Sequence, residues 1–125
     1  MARKDDLGRA GEQLAVDHLI GLGWSIIARN WRCSIGEIDI VAVDRDATVV
    51  VEVKTRSGVG FGHPLESVTA IKLARLRRLA GAWCAAREAA GEPRARQLRI
   101  DVIGVILDRL DSPSAASIEH VRQVA

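Results

Sequence analysis

The order of elements in the sequence is that of an α/β protein: one helix, three strands, a long helix and a fourth strand (αβββαβ), forming a mixed sheet flanked by helices. Three observations predict it. Residues 6–21 carry apolar side chains at helical spacing. The three runs that follow are short and closely spaced, so they should form an antiparallel meander. A long helical stretch then precedes the next apolar run, and such a crossover makes that strand parallel to the one it left.

Each element has its own signal. The first helix takes Asp5 or Asp6 as N-cap and stops near Gly21 or Gly23. "WSIIAR" (24–29) is a short strand. "IGEIDIVAV" (35–43) alternates as a strand does, and "DRDA" turns it into another at 47–54. "TRSGVGFGHP" (55–64) is a glycine-rich loop with Val59 as its one aliphatic anchor, expected to be mobile when empty. The long helix covers roughly 65–89, with Pro64 at its start and Gly91 beyond its end. "QLRIDVIGVIL" (97–107) is the fourth strand, and "SIEHVRQV" a weaker fifth.

With 125 residues and neither repeat nor linker, residues 1–125 read as one domain. Hydrophobic residues make up 48% and charged residues 27%, the balance of an ordinary globule. The N-terminus lacks the apolar segment of a signal peptide and no run is long enough to span a bilayer, so a cytoplasmic protein without a membrane partner is expected. Cys33 and Cys84 have no metal-ligand spacing and read as free thiols. Only four aromatic residues, none of them tyrosine, argue against a single-strand binder that stacks bases.

The charges point elsewhere. The strand 47–54 opens on Val49, Val50 and Val51 and then turns charged, with Glu52 and Lys54 on one face. If the hairpin turns on Arg45-Asp46 alone, Asp39 faces Glu52 and Glu37 faces Lys54. One face then holds those four charges, and the other holds Ile38, Ile40, Ala42, Val49, Val51 and Val53. Opposed carboxylates repel unless a cation sits between them. Magnesium suits such a place, taking one or two carboxylates and keeping several waters. The Lys54 ammonium beside it can hold a water or neutralise a phosphate. Two salt bridges, Glu37 to Lys54 and Asp39 to an arginine, are the plainer alternative.

Of the 18 basic residues 15 are arginine, so lysine at 54 and at 72 stands out. A compact ammonium does what a guanidinium cannot in positioning water. Glu12 lies on the apolar stripe of the first helix with Ala15, Val16 and Leu19, and Lys72 on that of the long helix with Val68, Leu76 and Leu79. Each alone could be a side chain that snorkels at a helix margin. Together they suggest a shared polar cleft.

"GRAGEQLAVDHL", "ARNWRCSIGEIDIVAVD", "VVVEVKTRSGVGFGHP" and "IKLARLRRLA" resemble the bacterial YraN family. That family is assigned to the PD-(D/E)xK nuclease superfamily and is similar to archaeal Holliday-junction resolvases. The resemblance runs from about Gly8 to Asp101. It implies a restriction-endonuclease-like core and a metal-dependent endonuclease acting on DNA, with Mg2+ or Mn2+ as cofactor. Asp39 then matches the motif's aspartate and Glu52-Val53-Lys54 its E-x-K, although Ile38 stands where the literal proline would be. Asp39, Glu52 and the Val53 carbonyl would bind the metal, Glu12 would be an added metal or water ligand, and Lys54 would place the water. Arg29, Arg32, Arg56, Lys72, Arg75, Arg77 and Arg78 are candidate phosphate contacts, read by charge and shape. Resolvase relatives act as dimers on two-fold symmetric junctions, so a homodimer is a further expectation. The alternative is an inactive nucleic-acid-binding module on the same fold.

Overall fold

A computed structural model describes residues 2–58, 63–107 and 116–124, with side chains from Asp6 onward. Helix α1 spans Ala2–Gly21, followed by strands β1 (Ser25–Cys33), β2 (Gly36–Asp44) and β3 (Ala47–Arg56). A 3-10 turn at Pro64–Ser67 leads into helix α2 (Ala70–Ala89), strand β4 (Gln97–Ile106) and strand β5 (Ser117–Val121). The expected loop 55–64 lies partly outside the described residues, Val59 included. No described helix is long and apolar enough to cross a membrane.

The five strands form one sheet in the order β1-β2-β3-β4-β5. β1, β2 and β3 are antiparallel neighbours, and β4 runs parallel to β3 after the α2 crossover. β5 pairs antiparallel with β4 at the far edge. The β2–β3 hairpin turns on Arg45 and Asp46, with Arg45 at φ 55°, so Asp44 pairs with Ala47 and Ile40 with Val51. That is the register the two-residue loop predicts.

Both faces of the sheet are covered, which explains the unbroken apolar run in β3. Val49 and Val51 pack with Ile40, Ile103, Ala15 and Leu19 under α1. Val50 packs with Val41, Ile100, Leu76, Leu79 and Trp83 under α2. A strand buried on both sides reads as a continuous hydrophobic stretch rather than an alternating one.

Several expectations need correction. Ile38 does not join Ile40 on the α1 face; it packs with Val41 and Val50 under α2. The change lies opposite a step in β1, where Asn30 adopts φ 52° between the pairs Arg29–Ile40 and Trp31–Ile38 and where Ala28 and Trp31 both pack under α2. Helix α1 begins at Ala2, so neither Asp5 nor Asp6 is its cap; Asp6 pairs with Arg9 at 2.7 Å instead. The second helix starts later than position 65. His63 caps the 3-10 turn, Val68 is extended, and Thr69 restarts the chain as the N-cap of α2, accepting from the Lys72 N–H. Cys33 and Cys84 are free.

A second polar cluster on the α1 face joins the end of the chain to the sheet. Asp101, fully buried, accepts from both Nε and Nη2 of Arg99, from the Gln123 N–H, and pairs with His120 Nε2 at 2.8 Å. Arg99 also donates to Asp44 and lies 5.0 Å over the Trp24 ring. His120 Nδ1 is 3.1 Å from Nε2 of His18 in the last turn of α1. These partners hold the Asp101 carboxyl below its usual range against the opposing effect of burial. Every oxygen of this buried carboxylate is used, so the cluster reads as a brace between α1, β4 and β5.

Candidate active site

The charged end of the sheet is the carboxyl end of β3, where β2 begins. In open α/β sheets this is the end at which ligands bind. A hollow of about 240 Å³ opens there between the sheet and α2. Glu37 and Asp39 line it from β2, Glu52 and Lys54 from β3, and Lys72 and Arg75 from α2, over a floor of Leu76 and Leu79. The larger hollow, about 870 Å³, opens at the other end of the sheet around Trp83, Arg87, Arg94 and Leu98 and gathers no set of carboxylates.

At the hollow the β2–β3 ladder gives way to side-chain bonding. The last regular pair is Ile40 with Val51. Beyond it the Val53 N–H donates to Asp39 Oδ2 at 2.8 Å, so the carboxylate takes the place of a backbone acceptor. Glu52 lines the same hollow, and its charge acts on Asp39. Burial, then the Glu52 charge, push the Asp39 carboxyl up to about 8. Lys54 Nζ stands 3.1 Å from Glu52 Oε2. Among the described residues Asp39 has no basic partner within salt-bridge distance, and Glu37 is bridged by Arg32 at 2.7 Å rather than by Lys54. The pattern of two salt bridges that would neutralise this face is therefore not the one formed.

Glu12 approaches from α1. Its carboxyl is raised by burial and by the charges of Glu37 and Glu52, and lowered by the Asn30 side-chain amide and Arg29. It contributes to the field at Asp39 but does not line the hollow. What sets its position was not legible in the sequence. Gly11, one residue earlier, is buried against Thr55 of β3; a Cβ there would stand 2.7 Å from Thr55 Cγ2 and 2.8 Å from its Cβ, besides meeting Oγ1. Asn30, whose side chain favours the charged Glu12 carboxylate, has a left-handed backbone that asparagine tolerates better than most residues. An asparagine inside an otherwise good strand was the one signal available.

Gly11→Ala is consequently expected to move α1 off the sheet, because the clash is with a Cβ rather than a flexible tip. Overpacking of this kind costs about 1–3 kcal/mol. Thermal denaturation checks it, and an unchanged midpoint would mean that α1 is free to slide at this contact.

The basic candidates divide by position. Lys72 is exposed at the mouth of the hollow, and Arg75 donates to the Ile35 carbonyl at 3.1 Å while its Nη2 lies 2.7 Å from where a Cβ of Gly36 would stand. Arg32 is engaged with Glu37. Arg29 donates to Gln13 on α1, and Arg56 to the Thr55 carbonyl. Arg78 borders Arg75 on α2, about 60° away, whereas Arg77 stands about 140° from Lys72 and faces away from the hollow.

The family model described as "Uncharacterised protein family UPF0102" matches residues 11–105. A UPF0102 protein of Clavibacter michiganensis subsp. michiganensis is 54% identical over 114 residues, 91% of this chain and 93% of its own. One from Pseudarthrobacter chlorophenolicus is 53% identical over the whole chain and 89% of its own length. A third, from an Arthrobacter species, is 50% identical over 99% of both chains. The matched span runs from Gly11 against Thr55 to the end of β4 and so takes in the whole hollow, and the chain belongs to the uncharacterised protein family UPF0102, which is the YraN family.

Proposed function

We propose that the protein is a metal-dependent endonuclease with a restriction-endonuclease-like core, hydrolysing DNA phosphodiester bonds, with branched, four-way-junction-like DNA as its substrate class. One observation carries the reading: a half-buried carboxylate, Asp39, lies within the field of Glu52 in a hollow lined by Lys54 and Lys72, and among the described residues has no basic partner of its own. Such a group is costly in isolation and is stabilised by a divalent cation.

The residues fit magnesium or manganese. Asp39 offers the oxygen that Val53 does not use, Glu52 a second, and the Val53 carbonyl a third. No three His, Cys, Asp or Glu side chains gather on one point among the described residues. Magnesium does not need them, since one or two carboxylates and several waters satisfy it. When bound, the ion would neutralise charge that develops on the phosphate. Glu12, which acts on Asp39 through its charge but does not line the hollow, would orient water rather than hold the ion. Lys54 exchanges its bond to Glu52 for one to the attacking water or to a phosphate oxygen. Water forms the new P–O bond and gives up one proton to solvent, while the sugar oxygen leaves with the electrons of the old bond and takes a proton from solvent. Lys72 and Arg75, on the α2 wall, hold the phosphates on either side.

Incubating the purified protein with magnesium or manganese on duplex, flap and four-way junction DNA tests this. Metal-dependent strand cleavage that Asp39→Asn abolishes is the expected result. Binding without cleavage would favour the inactive module instead.

A further inference from the structure

We propose that His63 is a substrate-binding residue, donating from Nε2 to a phosphate next to the one attacked. The inference rests on the nuclease reading and extends it to a residue outside the carboxylate set.

Three contacts place the ring. The Leu65 N–H donates to His63 Nδ1 at 3.2 Å, so in the neutral imidazole the proton is on Nε2. Among the described residues that nitrogen of the partly exposed ring meets one exposed carboxylate, Glu119 Oε2, at 3.5 Å. The ring lies over Gly104, with Cε1 at 3.4 Å from where a Cβ would stand, and Leu65 fills the space beside it.

Gly104 locates this contact relative to Lys54. It pairs with Lys54 on β3 and with Glu119 on β5. Its neighbours Ile103 and Val105 pack under α1, so position 104 faces α2, as Lys54 does. Adjacent strands lie about 4.8 Å apart, so His63 stands about one strand spacing from the lysine. β4 leaves its place in the row empty, and the chain after β3 supplies a side chain there. A row of polar groups thus crosses the sheet from Lys54 through His63 to Glu119. A cap alone does not require an imidazole, because asparagine, aspartate or serine caps as well or better. The Nε2–H is what histidine adds.

His63→Asn separates the two uses of the ring. The asparagine oxygen keeps the cap acceptor, so the thermal midpoint should hold, while the Nε2 donor is lost. Affinity for four-way junction DNA, with calcium in place of magnesium to suppress cutting, should fall about tenfold for one lost bond to a charged oxygen. The single-turnover rate at saturation should stay near normal. With only three histidines in the chain, the C2–H resonances are assignable by difference. Titration with a phosphodiester dinucleotide should move that of His63 and leave His18 and His120, on the other face, in place. Wild-type affinity in His63→Asn, or an unmoved His63 resonance, overturns the proposal. If the wild type binds no DNA, the nuclease reading fails, and the resonance alone then decides whether His63 takes a phosphate diester.

Discussion

Lys54→Ala is expected to bind junction DNA nearly as the wild type does and to cut it about a hundredfold more slowly or worse, the usual loss when one preorganised electrostatic group is removed. The expectation follows from where the ammonium is held. Lys54 is on a strand paired along its length with β4, and its Nζ is 3.1 Å from Glu52, a carboxylate that lines the same hollow as Asp39. A rigid strand and a neighbouring carboxylate aim one donor at one spot. Lys54→Arg should also be impaired, because a planar guanidinium is wider than the ammonium it replaces. Lys72→Ala should show the reverse pattern. Lys72 is exposed at the rim, where its charge adds to binding, so its loss should lower affinity and flatten the salt dependence by about one phosphate contact. Arg77→Ala, on the outer side of α2, should change little. Single-turnover cleavage beside equilibrium binding distinguishes these cases. Full cleavage by Lys54→Ala, with a control for contaminating nuclease, would return Lys54 to a structural role.

The parts of the site that were legible in the sequence are those governed by local rules. Alternation in β2 and β3, with a two-residue turn between them, sufficed to put Asp39, Glu52 and Lys54 around one hollow. Apolar spacing on the long helix placed Lys72 there as well. The rest depends on contacts between distant segments. Ile38 changes face opposite Asn30, a residue of another strand with a left-handed backbone. β1 runs on to Cys33 because β2 offers partners as far as Gly36, although the alternation breaks between Arg29 and Asn30. Asp101 sits in an apolar run, and only the fold reveals the arginine, histidine and backbone N–H that satisfy it. Gly11 looked like any helical glycine until Thr55 was found against it. Arg77 and Arg78 are adjacent in sequence and point to different sides of one helix.

The other large effect concerns Asp39 and pH. Its carboxyl has an ordinary value of 3.8 and is pushed up to about 8 in the metal-free protein, by burial first and then by the charge of Glu52. The folded state therefore holds this proton more tightly than the unfolded state does. Stability from this group is complete below the ordinary value and is lost as pH rises through the folded one. The metal-free protein should accordingly be less stable at pH 8 than at pH 5 by this contribution. Each unit is worth about 1.4 kcal/mol, and because Asp39 is only partly buried the recoverable part is smaller than the full span, roughly 2–3 kcal/mol. Asp39→Asn keeps an oxygen for the Val53 N–H and carries no charge, so the metal-free variant should outlast the wild type at pH 8 and match it more closely at pH 5. Magnesium or manganese reverses the order. A cation that displaces the proton should stabilise the wild type, more at pH 8 than at pH 6 because protons compete for the same oxygens. At a hundred times its dissociation constant the ion would add about 2.7 kcal/mol. The variant should gain almost nothing. Denaturation of both proteins across this pH range, with and without metal, isolates Asp39 as the difference between them, so that other titrating groups such as Glu12 and His18 largely cancel. Parallel pH curves for the two proteins, or equal metal-induced shifts, would mean that Asp39 is not where the cation binds.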